Sequence, residues 1–252
     1  MTRSFSRIYL TLALLTSVAL IGCSPDGAQT NEGQTQGLYL SMYMQIKPGE
    51  VSAWEEARQR AIEYRESEDY PWNETVWISE TNVARIGIAL PNGWSDMAAR
   101  TEWFDARPGG GNSGIPDTVN RFWREISAPM PELFYRPDNP RVAQGEGMFT
   151  HQIKIYARPG TRQAAMESMA GVSAALRAAG SDQPRFVART VLGGSGNAYS
   201  VFYPALDAAD YYEHREENRS VIQGALSGNS FSVRTERTNW RSRPDLNYSA
   251  GD

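Results

Sequence analysis

A chain that states one pattern twice has few ways to fold, because each copy must either satisfy itself or be satisfied by its twin. Lys47-Pro48-Gly49 stands between a strand-like stretch and a helix-like one, and Arg158-Pro159-Gly160 stands in the same place further on. Two more pairs follow in the same order. The stretch around Pro91 answers the stretch around Pro204, and Arg136-Pro137-Asp138 answers Arg243-Pro244-Asp245. Three short matches in one order, each displaced by about 110 residues, indicate duplication of a unit of roughly 105 residues.

Element types follow from periodicity. Leu38, Leu40, Met42, Met44 and Ile46 alternate with Tyr39, Ser41, Tyr43, Gln45 and Lys47, a period of two that gives a strand with one face on an apolar layer. Phe149, His151, Ile153 and Ile155 repeat this against Thr150, Gln152, Lys154 and Tyr156, and Pro-Gly ends each strand. Trp54, Ala57, Ala61 and Tyr64 then recur at helical spacing, as do Ala165, Met169, Val172, Leu176 and Ala179. Paired β-rich stretches come next, 75–82 with 84–90 and 185–192 with 198–203, each pair reading as a hairpin. Asp96 and Asp207 are placed to cap a second helix, and a last strand is expected at 132–138 and again at 230–238. The order is the split βαβ arrangement, βαββαβ. It puts both helices of a unit on one face of a four-stranded antiparallel sheet. The other face, with Tyr39, Tyr43, Gln45, Gln152, Lys154 and Tyr156, needs cover.

On this order and this duplication, the chain over residues 37–246 resembles the dimeric α/β-barrel superfamily, with its antibiotic-biosynthesis-monooxygenase-like and NIPSNAP-like domains. The resemblance implies an α+β fold: two ferredoxin-like βαββαβ repeats, 37–140 and 141–246, packed sheet to sheet as an intrachain dimeric α/β-barrel. In that superfamily two chains usually supply the two sheets. Here one chain supplies both, which implies an internal pseudo-dimer that stands as a monomer, with residues 247–252 as a C-terminal tail.

The N-terminal segment belongs to neither copy. Arg3 and Arg7, an apolar run from Ile8 to Ile21 and then Gly22-Cys23 read as a bacterial export signal over 1–22. The run is shorter than the roughly 20 residues of a spanning helix. Leu20-Ile21-Gly22-Cys23 resembles the lipobox of bacterial lipoproteins, which implies cleavage before Cys23, lipidation of its thiol and acylation of its new amine. The membrane is then a partner through acylated Cys23, since several acyl chains hold firmly where one holds marginally. Ser24 after the cysteine implies, by the same resemblance, the outer membrane facing the periplasm. Residues 24–36, rich in Gly, Gln, Thr and Asn, read as a flexible tether. Without Arg3 and Arg7 the chain has 23 basic residues against 29 acidic, a balance that does not favour nucleic acid. Cys23 is the single cysteine, so neither an intramolecular disulfide nor a thiolate metal site is expected.

Candidate chemistry centres on the face that needs cover. Tyr39, Tyr43, Gln45, Gln152, Lys154 and Tyr156 would line a polar-aromatic cavity fit to orient a small organic ligand, or would fill the barrel by bonding one another. Lys154 could serve as a base if desolvated; paired with a nearby Glu it would serve structure. Haem-degrading members of the superfamily use a His from the second helical region together with Asn and Trp, which the resemblance would place at His214 and Trp77. His214 stands among Glu213, Arg215, Glu216 and Glu217, a solvated helix face, so no cofactor and no metal are expected. His151 falls in the helix-facing register and reads as a core histidine with its hydrogen bond satisfied. Trp54, Trp103 and Trp123 read as helix packing, and the Gly-rich loop 107–117 as a candidate control of access. The expectation is a lipid-anchored envelope protein whose barrel binds a small organic ligand or a protein partner. The competing class is a cofactor-independent, monooxygenase-like enzyme acting in the same cavity, with its catalytic residues unidentified.

Overall fold

The computed structural model describes residues 37–107, 115–194, 197–226 and 230–251. The export signal, Cys23, the tether and residues 108–114 of the Gly-rich loop lie outside the described residues. Among those described, the strands are β1 (Leu38–Ile46), β2 (Thr75–Ser79), β3 (Val83–Leu90), β4 (Val119–Pro129), β5 (Phe149–Ala157), β6 (Phe186–Leu192), β7 (Ala198–Ala205) and β8 (Ser232–Ser242). The helices are α1 (Val51–Ser67), α2 (Trp94–Asp105), α3 (Arg162–Ala178), α4 (Ala208–His214) and α5 (Arg219–Leu226). No described helix is long and apolar enough to cross a membrane.

All eight strands are antiparallel to their neighbours and close into one barrel in the order β1-β3-β2-β8-β5-β7-β6-β4. Two four-stranded sets therefore join edge to edge. One seam pairs Trp77 with Ser242, Ile78 with Arg241 and Ser79 with Trp240; the other runs from Ile126–Leu192 to Pro129–Ala188. The seams are short, so Val119–Glu125 of β4 and Ser232–Asn239 of β8 run beyond them.

The outward faces of β1 and β3 in one set, and of β5, β6 and β7 in the other, pack against apolar residues of the helices. Leu40, Ile46, Ile86, Ile88 and Leu90 are almost wholly buried with Trp54 of α1, each worth about 1.5–3 kcal/mol relative to exposure. On the other side Ala165 and Met169 of α3 pack on Val187, Tyr199 and Val201. Alternation then leaves Tyr39, Ser41 and Tyr43 on the lumen side, with Thr150 and Gln152 facing them across the barrel. Gly87 of β3 has a specific reason to be glycine, because the ring of Tyr39 lies across it and a Cβ there would sit 2.0 Å from the Tyr39 hydroxyl.

Several local expectations change. The last strand of the first half is 119–129, not 132–138. Its outward residues Phe122 and Arg124 are exposed and its inward residues Trp123 and Glu125 contact lumen side chains, so hydropathy carries no period of two there. Trp123 accordingly lies on a strand, not a helix. The second helix of the second half is interrupted between α4 and α5. Asp207 caps α4 by accepting from Asp210 N at 2.9 Å, but the N-cap of α2 is Gly93, and Asp96 instead accepts from the Asn92 backbone at 2.8 Å.

The third sequence match also resolves differently. Pro131–Leu133 and Pro244–Leu246 each form a single 3-10 turn, and each is followed by a tyrosine in an isolated bridge, Tyr135 with Arg185 and Tyr248 with Glu74. The corresponding segments are thus Pro131 to Tyr135 and Pro244 to Tyr248, whereas Arg136-Pro137-Asp138 goes on to the barrel mouth. Each turn docks on the opposite half: Tyr135 packs with Val172 and Leu176 of α3, and Tyr248 packs with Ile62 and Tyr70 beside α1.

At that second docking point sits a buried ion triad. Glu74 accepts from Arg58 Nη1 at 2.6 Å and stands 3.1 Å from Arg65 Nε, close but too misaligned for a hydrogen bond. Arg58 Nε reaches the Leu246 carbonyl at 3.0 Å, tying the closing segment to α1. Burial alone would raise the Glu74 carboxyl, yet the two guanidiniums outweigh it and hold it below its ordinary range.

Candidate functional site

The lumen is filled at one end and open at the other. At the filled end Tyr43 stacks on Trp123 with ring centroids 5.1 Å apart and has Trp240 at 6.1 Å on another side. Lys154 Nζ donates to Glu125 Oε1. Gln152 donates to Ser200 Oγ at 2.9 Å and accepts from Trp240 Nε1 at 2.7 Å. Tyr156 donates to Glu236 Oε2 at 2.8 Å. Gln45 donates to the Thr81 carbonyl at 2.9 Å in the turn between β2 and β3. Each of Gln45, Gln152, Lys154 and Tyr156 thus has a hydrogen-bond partner within the protein.

Toward the other end a cavity of about 890 Å³ opens, lined by Tyr39, Ser41, Tyr43, Trp77, Thr190 and Phe202 among others. Its mouth is formed by Phe134 and Arg136, by the connection through Val142 and Met148, and by Pro244 and Asn247. Of the six expected lumen residues, Tyr39 and Tyr43 line this cavity, while Gln45, Gln152, Lys154 and Tyr156 belong to the filled end. The Gly-rich loop leads into β4, whose first residue Val119 pairs with Ile46; that end of the barrel is opposite the one where Tyr39 and Ser127 face the cavity.

Arg85 of β3 is the residue that pattern reading missed. It lies between Tyr43 on β1 and Trp77 on β2, directly paired with each. Its guanidinium carbon stands 5.1 Å from the Trp240 ring centroid, 5.6 Å from Phe202 and 5.7 Å from Trp77, and only 7 % of the residue is exposed. Nε is buried without a hydrogen-bond partner. Among the described residues no carboxylate stands within ion-pairing distance of it; of the two acids lining the same cavity, Glu125 is paired with Lys154 and Asp138 is exposed. The signal in the sequence was a lone Arg inside the apolar run "VARIGIAL", at the inward position of a strand whose outward positions are all aliphatic.

The site's acid-base chemistry is limited. Burial pushes the Tyr43 hydroxyl up to about 12, against a lowering by Arg85; it is a donor at neutral pH and not a phenolate base. Burial and the bond to Glu236 push Tyr156 further up still.

A second cavity, about 680 Å³, lies outside the barrel between β5, β7 and β8 and the helices α3, α4 and α5. Both histidines line it. His151 Nδ1 bonds Asn239 Oδ1 at 2.7 Å and its ring stacks on Tyr211 at 4.9 Å, with burial lowering its pKa. His214 donates from Nδ1 to the Asp210 carbonyl at 2.9 Å, which raises its pKa. Trp77 lies in the lumen instead, so the His and Trp that the haem-degrading pattern would draw together face different cavities. No group of three or more His, Cys, Asp or Glu side chains able to hold a metal occurs among the described residues.

No protein-family model and no curated protein matches the chain. Solved structures do. An anthrone oxidase-like protein superposes with a TM-score of 0.59 at 13% identity, over 87% of this chain and 95% of its own. A proposed monooxygenase from Lactobacillus acidophilus NCFM gives 0.55 at 8% identity, over 86% and 97%. Chlorite dismutase from Candidatus Nitrospira defluvii, in complex with imidazole, gives 0.52 at 11% identity, over 84% and 94%. At such identities the likeness is one of fold, and the chain has the dimeric α/β-barrel fold.

Proposed function

We propose that this chain is a lipid-anchored protein of the cell envelope, two ferredoxin-like repeats acting as their own dimer, and that its half-open lumen holds a small organic ligand. The cavity of about 890 Å³ carries the ligand reading, being of the size that encloses small organic molecules. Its wall of aromatic and aliphatic side chains with a few convergent polar groups supports the same reading. The anchor reading rests on Arg3, Arg7, the apolar run and Gly22-Cys23. An oxygenase reading would need a base at the ligand. Tyr43 is held neutral and Lys154 is engaged by Glu125, so binding is favoured over catalysis.

The test is native mass spectrometry of the full chain drawn from its own host's envelope. The expected result is a mass increment for acylation at Cys23 and a second, releasable increment for a retained small molecule. A Cys23→Ser chain is expected to leave the membrane fraction. An unmodified cysteine together with an empty lumen that also takes up nothing from a panel of organic acids, amides and alcohols would overturn the proposal.

A further inference from the structure

The lumen holds a charge that its own residues do not match. Arg85 is buried to 7 % exposure, Nε has no partner, and of the two acids lining the cavity Glu125 is committed to Lys154 while Asp138 is exposed. A largely buried guanidinium without a counter-ion is costly. Trp77, Phe202 and Trp240 offset part of that cost by cation–π contact. Rings attract a cation through their faces but supply no acceptor for its in-plane N–H groups. What the guanidinium lacks is a facing anionic acceptor.

Resting on the ligand reading above, we infer that the lumen ligand is an organic monocarboxylate, whose two oxygens meet the Arg85 fork and whose apolar body runs outward to the mouth. A planar carboxylate matches the guanidinium fork with two parallel hydrogen bonds. A dianion would be under-neutralised here, since Arg85 is the only cation of the inner cavity free of an acidic partner among the described residues; the other lining arginine, Arg136, stands exposed at the mouth over Phe134 and Phe186. The body of the ligand has matching walls in Phe134, Phe186, Phe202 and Val142. From the level of Tyr43, which pairs with Arg85, to that of Tyr39 is about 13 Å along β1. That length suits a phenylalkanoate or a medium-chain fatty acid.

The experiment titrates the full-length chain with phenylbutyrate and with phenylbutyramide, its neutral counterpart, by calorimetry and by tryptophan emission, since Trp77 and Trp240 flank Arg85. The acid is expected to bind and the amide to bind at least tenfold more weakly. Arg85→Met is expected to weaken acid binding by about ten- to a hundredfold, the loss that charge-assisted hydrogen bonds carry, with the amide unaffected. Arg85→Lys, which keeps the charge without the fork, is expected to fall between and covers the case in which the Met variant does not fold. Ala188→Trp, filling the cavity, is expected to abolish both. Acid and amide binding equally, or Arg85→Met and Arg85→Lys both leaving acid affinity unchanged, would overturn the carboxylate assignment while leaving the lumen as a ligand site. A neutral molecule retained from the host would do the same. Failure of every probe, with Ala188→Trp indistinguishable from the native chain, would remove the lumen site itself.

Discussion

Replacing Glu74 by Gln should cost this protein more than any other single isosteric change in its described core. The carboxylate is fully buried between two guanidiniums, Arg58 at 2.6 Å and Arg65 at 3.1 Å, themselves exposed by only 0% and 7%. Gln preserves volume and one acceptor oxygen but leaves two buried positive charges facing each other. Removing one partner of a buried pair costs about 3–5 kcal/mol, and two stranded cations put the expected loss near the upper half of that range. Against a total stability of about 5–15 kcal/mol this is a large fraction. With a urea dependence of about 2–3 kcal/mol per molar for a domain of this size, the midpoint should fall by about 1.5 M. Urea unfolding followed by circular dichroism measures it. The pH dependence gives an independent check. The folded carboxyl lies below its unfolded value, so its contribution is complete above about pH 4–5 and disappears as pH falls through the folded pKa. The Gln variant should lack that acid-dependent part. A midpoint shift under about 0.5 M, or an unchanged acid profile, would refute the view that the triad balances itself.

Three other perturbations test the account. Gly87→Ala should force Tyr39 off its hydrogen bond to Thr75, found at 3.1 Å, and lower stability by about 1–3 kcal/mol, with loss of lumen ligand measured alongside melting. Lys154→Met should destabilise by about 3 kcal/mol by stranding Glu125, and Lys154→Met with Glu125→Leu should recover most of it; urea midpoints of the three variants decide. The chain's two histidines should titrate apart by NMR, His214 above and His151 below about 6.5. The His214 bond to the Asp210 carbonyl supports the fold at pH below that unfolded value and is lost as pH rises through its raised pKa, whereas burial of His151 favours the fold above 6.5 and weakens it as pH falls.

Where a strand separates an apolar helix layer from a polar lumen, its sequence alternates and can be read. That is why β1 and β5, with their inward and outward residues, were legible. β4 was not, because its outward residues Phe122 and Arg124 have no helix over them and its inward residues are as charged as a solvated surface. Lys154 was foreseen both as a base and as half of an ion pair; only the barrel's closure, which brings Glu125 of β4 opposite β5, selects the second. Arg85 was illegible for a related reason. A lone charge in an apolar strand marks a special position, but whether it meets a carboxylate is decided by strands far away in the chain. The equivalence of Tyr135 and Tyr248 was hidden because a chance Arg-Pro-Asp stood close by in each half.

The docking of each half's closing turn on the other half fixes when this fold can be finished during synthesis. The first half cannot seat Tyr135 until α3 exists, and β2 has no partner along its outer edge until β8 has been made. Glu74, committed early, waits for Leu246 and Tyr248 to cover it. Synthesis must therefore reach β8 and the closing turn before the β2–β8 seam can shut and the Arg58–Glu74 pair can be covered, although most of the first half's apolar cluster is already made.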